Sequence, residues 1–188
     1  HRNLQYGRHM LAPAQSKRVL GCGVYGAAEV VRLLNFRRDD VGGEPARVSR
    51  QTVARWLRGY DYSVRGELRR SDPLWIPDYA NDDGDLEISF RDLIELRFVK
   101  ALRELGLTLP AIRECFQRAV ELVRDERPFS TRRFRTDGRT IFLEITGVGE
   151  GELIDLRRRQ AVFKTIVQPS LRDLEFDADV VARWYPLG

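Results

Sequence analysis

YGAAEVVRLL at 25–34, VSRQTVARWLRGY at 48–60 and ISFRDLIELRFVKALRELGLTLPAIRE at 88–114 decide how this chain folds. Each carries apolar residues at helical spacing. In the first, Ala27, Val30, Val31 and Leu34 share one face of a short helix. In the second, Ser49 is a good N-cap, because its hydroxyl can accept from an orphan N–H near Thr52. Val53, Trp56 and Leu57 then face inward, Arg50, Gln51, Thr52, Arg55 and Arg58 fall mostly outward, and Gly59 is a natural stop. In the third, Ser89 and Asp92 resemble a capping box, with Asp replacing the usual Glu. Ile94, Phe98, Ala101, Leu102 and Leu105 keep the spacing, Gly106 ends the helix and Thr108 caps another. Leu109, Ile112, Phe116, Ala119 and Val123 carry that last helix to about residue 125.

Between these runs lie two loops and a hairpin. NFRRDDVGGEPAR at 35–47 reads as a loop, longer than a tight turn between two helices. YDYSVRGELRR at 60–70 places β-favouring aromatics around an Arg65-Gly66 turn and reads as a hairpin. SDPLWIPDYANDDGD at 71–85, with two prolines and an acidic run, reads as a loop. After Pro128 the period changes. RRFRTDGRTIFLEI at 132–145 reads as two β-like runs joined by Asp137-Gly138, a strong short-range hairpin signal. ELIDL at 152–156 is a candidate strand, 162–176 a helix interrupted by Pro169, and DVVARWYPLG at 179–188 a final strand. The expected class is α+β: a mainly helical unit over 25–127, then a small mixed unit with a β-hairpin over 128–188. Residues 1–24 read as a vector remnant (1–9) and a lead-in without periodicity.

Composition narrows the chemistry. Of 188 residues, 43% are hydrophobic, enough for a core. No run approaches the roughly 18 apolar residues of a membrane span, and no signal peptide is evident. Both histidines, His1 and His9, fall in the leading remnant, so Ser-His-Asp and Cys-His chemistry is excluded from the body. Cys22 and Cys115 are far apart and match no zinc spacing; they read as reduced cytosolic thiols. Asp82, Asp83 and Asp85 are the only dense carboxylates, in a Gly-containing loop that reads as a solvated turn. No enzyme activity, cofactor or metal is therefore expected.

Charge is unevenly placed. From Arg47 to Arg70 there are seven arginines against Asp61 and Glu67, a local balance of +5 in a chain whose net charge is +4. From Asp72 to Glu87 there are six acids and no base. Such a patch is a local field able to attract an anionic partner.

Helix, helix, basic hairpin and helix pair is the order of a winged helix-turn-helix. A helix entering the major groove presents short polar and cationic groups near its N-terminus, while arginines and helix N–H groups hold phosphates. Ser49, Arg50, Gln51 and Thr52 supply that end, and Arg55 and Arg58 extend it. Gln suits adenine and Arg guanine, each worth roughly 1–3 kcal/mol of discrimination. Tyr60, Tyr62, Arg65, Arg69 and Arg70 fall on the wing, suited to backbone contacts. The competing reading of the whole group is a solvated basic face.

YGAAEVVRLL, VSRQTVARWL and SFRDLIELRFVKALRELGLTLPAIRE resemble the DNA-binding domain of MerR-type regulators. That resemblance covers roughly 25–125, and implies that the second helix reads DNA, the wing touches the backbone and the next helix pair packs behind. WLRGY at 56–60, PLW at 73–75, RRFRTDGRTIFLE at 132–144 and RWYPLG at 183–188 are similar to a VapB-type antitoxin group with MerR-like heads, paired with PIN-domain ribonuclease toxins. This second likeness spans most of the chain. It implies a cytoplasmic DNA-binding antitoxin and autorepressor whose partners are double-stranded operator DNA, a PIN-domain toxin and a second copy of itself, with no membrane. Family members continue past the WYP segment into a small helical domain, the likelier toxin-binding element, so the chain resembles a fragment or a truncated member. Two features depart from the MerR pattern: the long 35–47 loop, and cysteines too distant for a metal-sensing cluster. Dimerisation is expected through the 109–125 helix or the 132–145 hairpin. The alternatives are a MerR-like regulator without a toxin, or a protein-binding module with a degenerate helix-turn-helix.

Overall fold

The computed structural model describes residues 23–36, 47–79, 84–147, 156–168, 171 and 174–185. Among these the architecture is α+β, mainly helical, with three separate two-stranded sheets. Strand β1 (Val24–Gly26) leads into α1 (Ala27–Asn35) and pairs antiparallel with β4 (Glu87–Ser89), which leads into α3 (Phe90–Glu104). Between them come α2 (Arg50–Arg58) and the hairpin of β2 (Tyr60–Val64) and β3 (Glu67–Ser71). Helices α4 (Leu109–Val123), α5 (Arg132–Ile145) and α6 (Leu156–Val162) follow, and the hairpin of β5 (Leu174–Asp177) and β6 (Val180–Trp184) comes last.

Helix starts follow the capping residues. Ser49 Oγ accepts from Thr52 N at 3.1 Å, Ser89 Oγ from Asp92 N at 3.0 Å, Thr108 Oγ1 from Ala111 N at 3.4 Å and Thr131 Oγ1 from Phe134 N at 3.2 Å. Each satisfies one orphan N–H of a first helical turn. The Ser89–Asp92 box is only half made. The Asp92 carboxylate turns inward instead, accepting from Trp75 Nε1 at 2.7 Å, Asp78 N at 2.9 Å and Arg127 Nε at 2.7 Å.

The long connection between α1 and α2 is closed by one side chain. Asn35 Nδ2 donates to Val48 O at 2.8 Å, and Asn35 Oδ1 accepts from Val48 N at 2.9 Å. The ends of the loop are thus stitched together whatever lies between; residues 37–46 fall outside the described chain. Val30, Leu34, Val53, Trp56 and Leu57 then join one core.

Helix α3 is the hub, buried at Phe90, Leu93, Ile94, Leu96, Phe98, Val99, Ala101 and Leu102. Phe129 sits at the centre of an aromatic cluster, with ring centroids 4.9 Å from Phe98, 4.9 Å from Phe134 and 5.9 Å from Phe116. Edge-on and tilted pairs of this kind add about 0.5–1.5 kcal/mol each beyond burial. The division expected near residue 127 does not coincide with a break in packing: the core runs from Val30 to Val181 through Phe129.

The segment 132–145 departs from expectation. It is not a hairpin but α5, a continuous helix of 14 residues. Phe134, Gly138, Ile141, Phe142 and Ile145 form its buried face, a 3.6-residue period that outweighs the Asp137-Gly138 turn signal. Thr131 supplies the cap. Gly138 is buried on this face, and a Cβ there would lie 3.3 Å from Leu171 Cδ1, so the residue read as a turn stands at a tight packing contact. Dimerisation by a 132–145 hairpin is accordingly withdrawn.

Farther on, residues 152–155 of the candidate strand lie outside the described chain, and Leu156 begins α6. The helix expected over 162–176 is observed as the end of α6 and a π-helical turn, Phe163–Val167; Pro169 lies outside the described residues. Its last residues are instead the strand β5. The expected terminal strand is present as β6, docked by Arg132 N donating to Asp179 O at 2.8 Å and by Arg97 stacked 4.2 Å from the Trp184 ring centroid.

Candidate functional site

The basic segment forms one surface built from α2 and the β2–β3 hairpin. Helix α2 buries Val53, Trp56 and Leu57 and leaves Ser49, Arg50, Gln51 and Arg55 exposed. Its C-terminus turns into β2 at Gly59, whose φ of 72° and ψ of −177° lie where essentially only glycine resides. A Cβ at this position would stand 2.4 Å from Ser71 O, so the closeness of helix and hairpin also demands glycine. Leu74 N then donates to Trp56 O at 2.8 Å and fastens the outgoing chain to α2.

The hairpin tip bends through Arg65 (φ 52°) and Gly66 (φ 85°). Two consecutive positive φ values match the twist of a two-residue hairpin loop. Register places Tyr62 opposite Arg69 and Asp61 opposite Arg70. Because side chains alternate along a strand, Tyr60, Tyr62 and Arg69 share one face, while Asp61, Ser63, Leu68 and Arg70 share the other. The first face is continuous with α2: the Arg55 guanidinium lies 5.1 Å from the Tyr60 ring centroid, and the Tyr60 and Tyr62 rings are 5.8 Å apart.

The predicted residues are therefore not equivalent. Arg55, Tyr60, Tyr62 and Arg69 come together on one side, while Arg50 and Gln51 are exposed in the first turn of α2 and Arg65 is at the exposed tip. Ser49 and Thr52 use their hydroxyls on each other, 2.9 Å apart, while Ser49 also caps α2. Arg58 Nη2 donates to Gly84 O at 2.7 Å and holds the loop behind the helix. Arg70 Nη2 donates to Arg58 O at 3.2 Å and Nη1 to Asp61 Oδ1 at 3.3 Å. These two arginines thus brace the base of the hairpin. Arg69 has only Glu67, 3.5 Å away and well exposed, a contact worth little in water. Arg50, Arg55 and Arg65 enter no ion pair among the described residues.

Sequence reasoning missed the supports of this surface. Arg103, near the end of α3, lines a cleft of about 350 Å³ together with Arg55, Tyr60 and Thr108, and so extends the cationic side toward the start of α4. Its place among last-turn basic residues gives no hint of that. Asp92, Glu95 and Arg127 are all buried, and only the tertiary fold brings them together.

Cys115 is unsuited to metal or redox work: burial pushes its thiol up to about 11, and Sγ donates to Ile145 O at 3.1 Å. Among the described residues no three His, Cys, Asp or Glu side chains converge on a metal position, and no helix is long and apolar enough to cross a membrane. Asp82, Asp83 and Cys22 lie outside the described residues. No protein-family model, curated protein or solved structure matches the chain.

Proposed function

We propose that the chain binds double-stranded DNA, with α2 in the major groove and the β2–β3 hairpin as a wing along the backbone. On this reading it is a winged helix-turn-helix protein acting as a homodimer. The observation that carries it is the Arg55–Tyr60 contact, which joins the last turn of α2 and the Tyr60–Tyr62–Arg69 face of the hairpin into one surface. An α-helix with its side chains is about 10–12 Å across, and the major groove is about 12 Å wide. Arg50, Gln51 and Arg55 are the base-edge candidates; Tyr62, Arg65 and Arg69 suit phosphates. Arg58 and Arg70 support the geometry rather than touch DNA. As the antitoxin resemblance implies, the DNA is the chain's own operator, the setting is cytoplasmic, and the second partner is a PIN-domain ribonuclease toxin.

The test is fluorescence anisotropy with a duplex from the region upstream of the chain's own reading frame, over a series of salt concentrations. Arg50→Ala/Arg55→Ala should weaken binding to that duplex by about 1–3 kcal/mol for each base-edge pair lost, whereas Arg65→Ala/Arg69→Ala should lower the slope of log affinity against log salt by up to about 2, since each phosphate contact contributes about 0.9. Unchanged affinity and slope would sink the assignment. Capture of a PIN-domain protein by a chain with no DNA affinity would favour the protein-docking reading instead.

A further inference from the structure

A cleft of about 640 Å³ opens between α5 and the segment that ends α6. Three cations line it: Arg135 and Arg139, one turn apart on α5, and Lys164 on the π-helical turn. Among the described residues the lining includes no Asp or Glu. All three cations are exposed, and none enters an ion pair among the described residues. Arg135 is partly held in place by the Phe176 ring, whose centroid lies 5.3 Å away. The floor is apolar, formed by the buried Phe163 and Leu171. Gly138 faces this floor, and a Cβ there would lie 3.3 Å from Leu171 Cδ1, a tight approach.

The second wall is irregular in a telling way. Gln168 N donates to Phe163 O, five residues back, which widens the turn that presents Phe163 and Lys164 to the cleft. Single π-turns of this kind are frequent at functional sites.

We propose that this cleft binds a small phosphorylated ligand of nucleotide size carrying at least two negative charges. Like charges converging on a concave wall repel one another when the cleft is empty, and an anion relieves that repulsion. Concavity also focuses the potential. Two guanidiniums suit phosphate oxygens in bidentate fashion, and a lysine adds a point charge. The volume falls within the roughly 300–1,000 Å³ usual for small-ligand pockets. Gln160 and Gln168 add amides able to meet ring or sugar polar atoms. A nucleic-acid backbone needs no apolar floor, so the lining favours a compact ligand. The site shares no residue with the α2–hairpin surface.

The experiment is isothermal titration of the whole chain with ADP, inorganic pyrophosphate and adenosine at physiological salt, with thermal shifts in parallel. ADP should bind saturably and raise the melting temperature, pyrophosphate should compete with it, and adenosine should bind far more weakly. Arg139→Ala/Lys164→Ala, both exposed positions with folding checked by circular dichroism, should weaken ADP about tenfold or more. Arg50→Ala/Arg55→Ala should leave ADP binding intact. No saturable binding of ADP or pyrophosphate into the millimolar range would overturn the proposal. Equal binding of adenosine, or undiminished binding by the folded Arg139→Ala/Lys164→Ala variant, would overturn it too.

Discussion

Replacing Arg127 with methionine would strip the cation from a buried carboxylate. Asp92 is 0% exposed and Arg127 is 6% exposed, and the Arg127 Nε–Asp92 Oδ1 distance is 2.7 Å. Arg127 Nη2 also donates to Ile76 O at 2.6 Å and to Asp78 Oδ1 at 3.0 Å. Methionine retains an apolar stem of similar reach, so the substitution mainly removes charge and donors. The Asp78 contact is discounted, because that side chain is 42% exposed and water can replace the partner. The Ile76 carbonyl loses one donor, about 1 kcal/mol. The Asp92 carboxylate remains buried with only Trp75 Nε1 and the Asp78 N–H, and removing one partner of such a pair costs about 3–5 kcal/mol. The two losses together come to about 4–6 kcal/mol; for a chain of this size 1 kcal/mol is about 2–4 °C, so the melting temperature should fall by roughly 8–24 °C.

Urea unfolding followed by tryptophan fluorescence suits the measurement, since Trp75 donates to Asp92 and stacks on Phe116 with centroids 5.0 Å apart. Removing both charges, with Asp92→Asn/Arg127→Met, should recover at least about 1 kcal/mol relative to Arg127→Met alone, within the usual coupling range. A loss below about 1 kcal/mol in the single variant, or strict additivity in the cycle, would refute the reasoning that this pair is desolvated and mutually dependent.

Two further outcomes follow from single residues. Burial pushes the Glu95 carboxyl from 4.5 up to about 8, although the Phe129 and Ser130 N–H groups and Arg127 pull the other way. The folded value lies above the unfolded one, so the stability associated with the neutral acid is complete below about pH 4.5 and is lost as pH rises toward 8, at up to about 1.4 kcal/mol per unit. Glu95→Gln cannot titrate and should flatten that slope in urea melts across the window, even though its NH2 faces an N–H donor and lowers stability throughout; an unchanged slope would assign the pH dependence elsewhere. Gly59→Ala should cost about 1–3 kcal/mol from backbone conformation alone. The 2.4 Å approach to Ser71 O adds to this, so a thermal melt within experimental error of the parent would contradict the geometry of the helix–hairpin junction.

Much of this fold is legible because its helices are amphipathic and capped. Ser49, Thr108, Gly59 and Gly106 mark ends through local chemistry alone, and Trp56, Ile94, Phe98 and Phe116 mark faces through period alone. What was misread shows where local signals compete. Asp137-Gly138 is a hairpin signal only if the flanking residues alternate. Here Phe134, Ile141, Phe142 and Ile145 already carry a helical period, and Gly138 stands at a tight packing contact with Leu171. The β1–β4 pairing has too few residues to display any period. The Asp92–Arg127 pair and the Asn35 stitch join positions 35 and 13 residues apart. No pattern along the chain encodes them, because such contacts exist only once helices have packed.

The candidate surface gives the same lesson in electrostatic form. A count along 47–70 yields +5 and treats every arginine alike. The register divides them. Arg58 faces back toward Gly84 and Arg70 toward Asp61, and Arg70 Nη2 also donates to Arg58 O, which holds the hairpin to α2. Arg50, Arg55 and Arg65 are exposed and have no anionic partners among the described residues. Position in the hairpin, not abundance of arginine, decides which charges remain for a partner. On the proposed DNA-binding reading, charges that brace the base would also contribute, because an arginine that fixes the angle between α2 and the hairpin would lower the ordering cost of engaging one duplex with both. Loss of Arg70 would thus act through that angle, whereas loss of Arg55 would act through the contact itself.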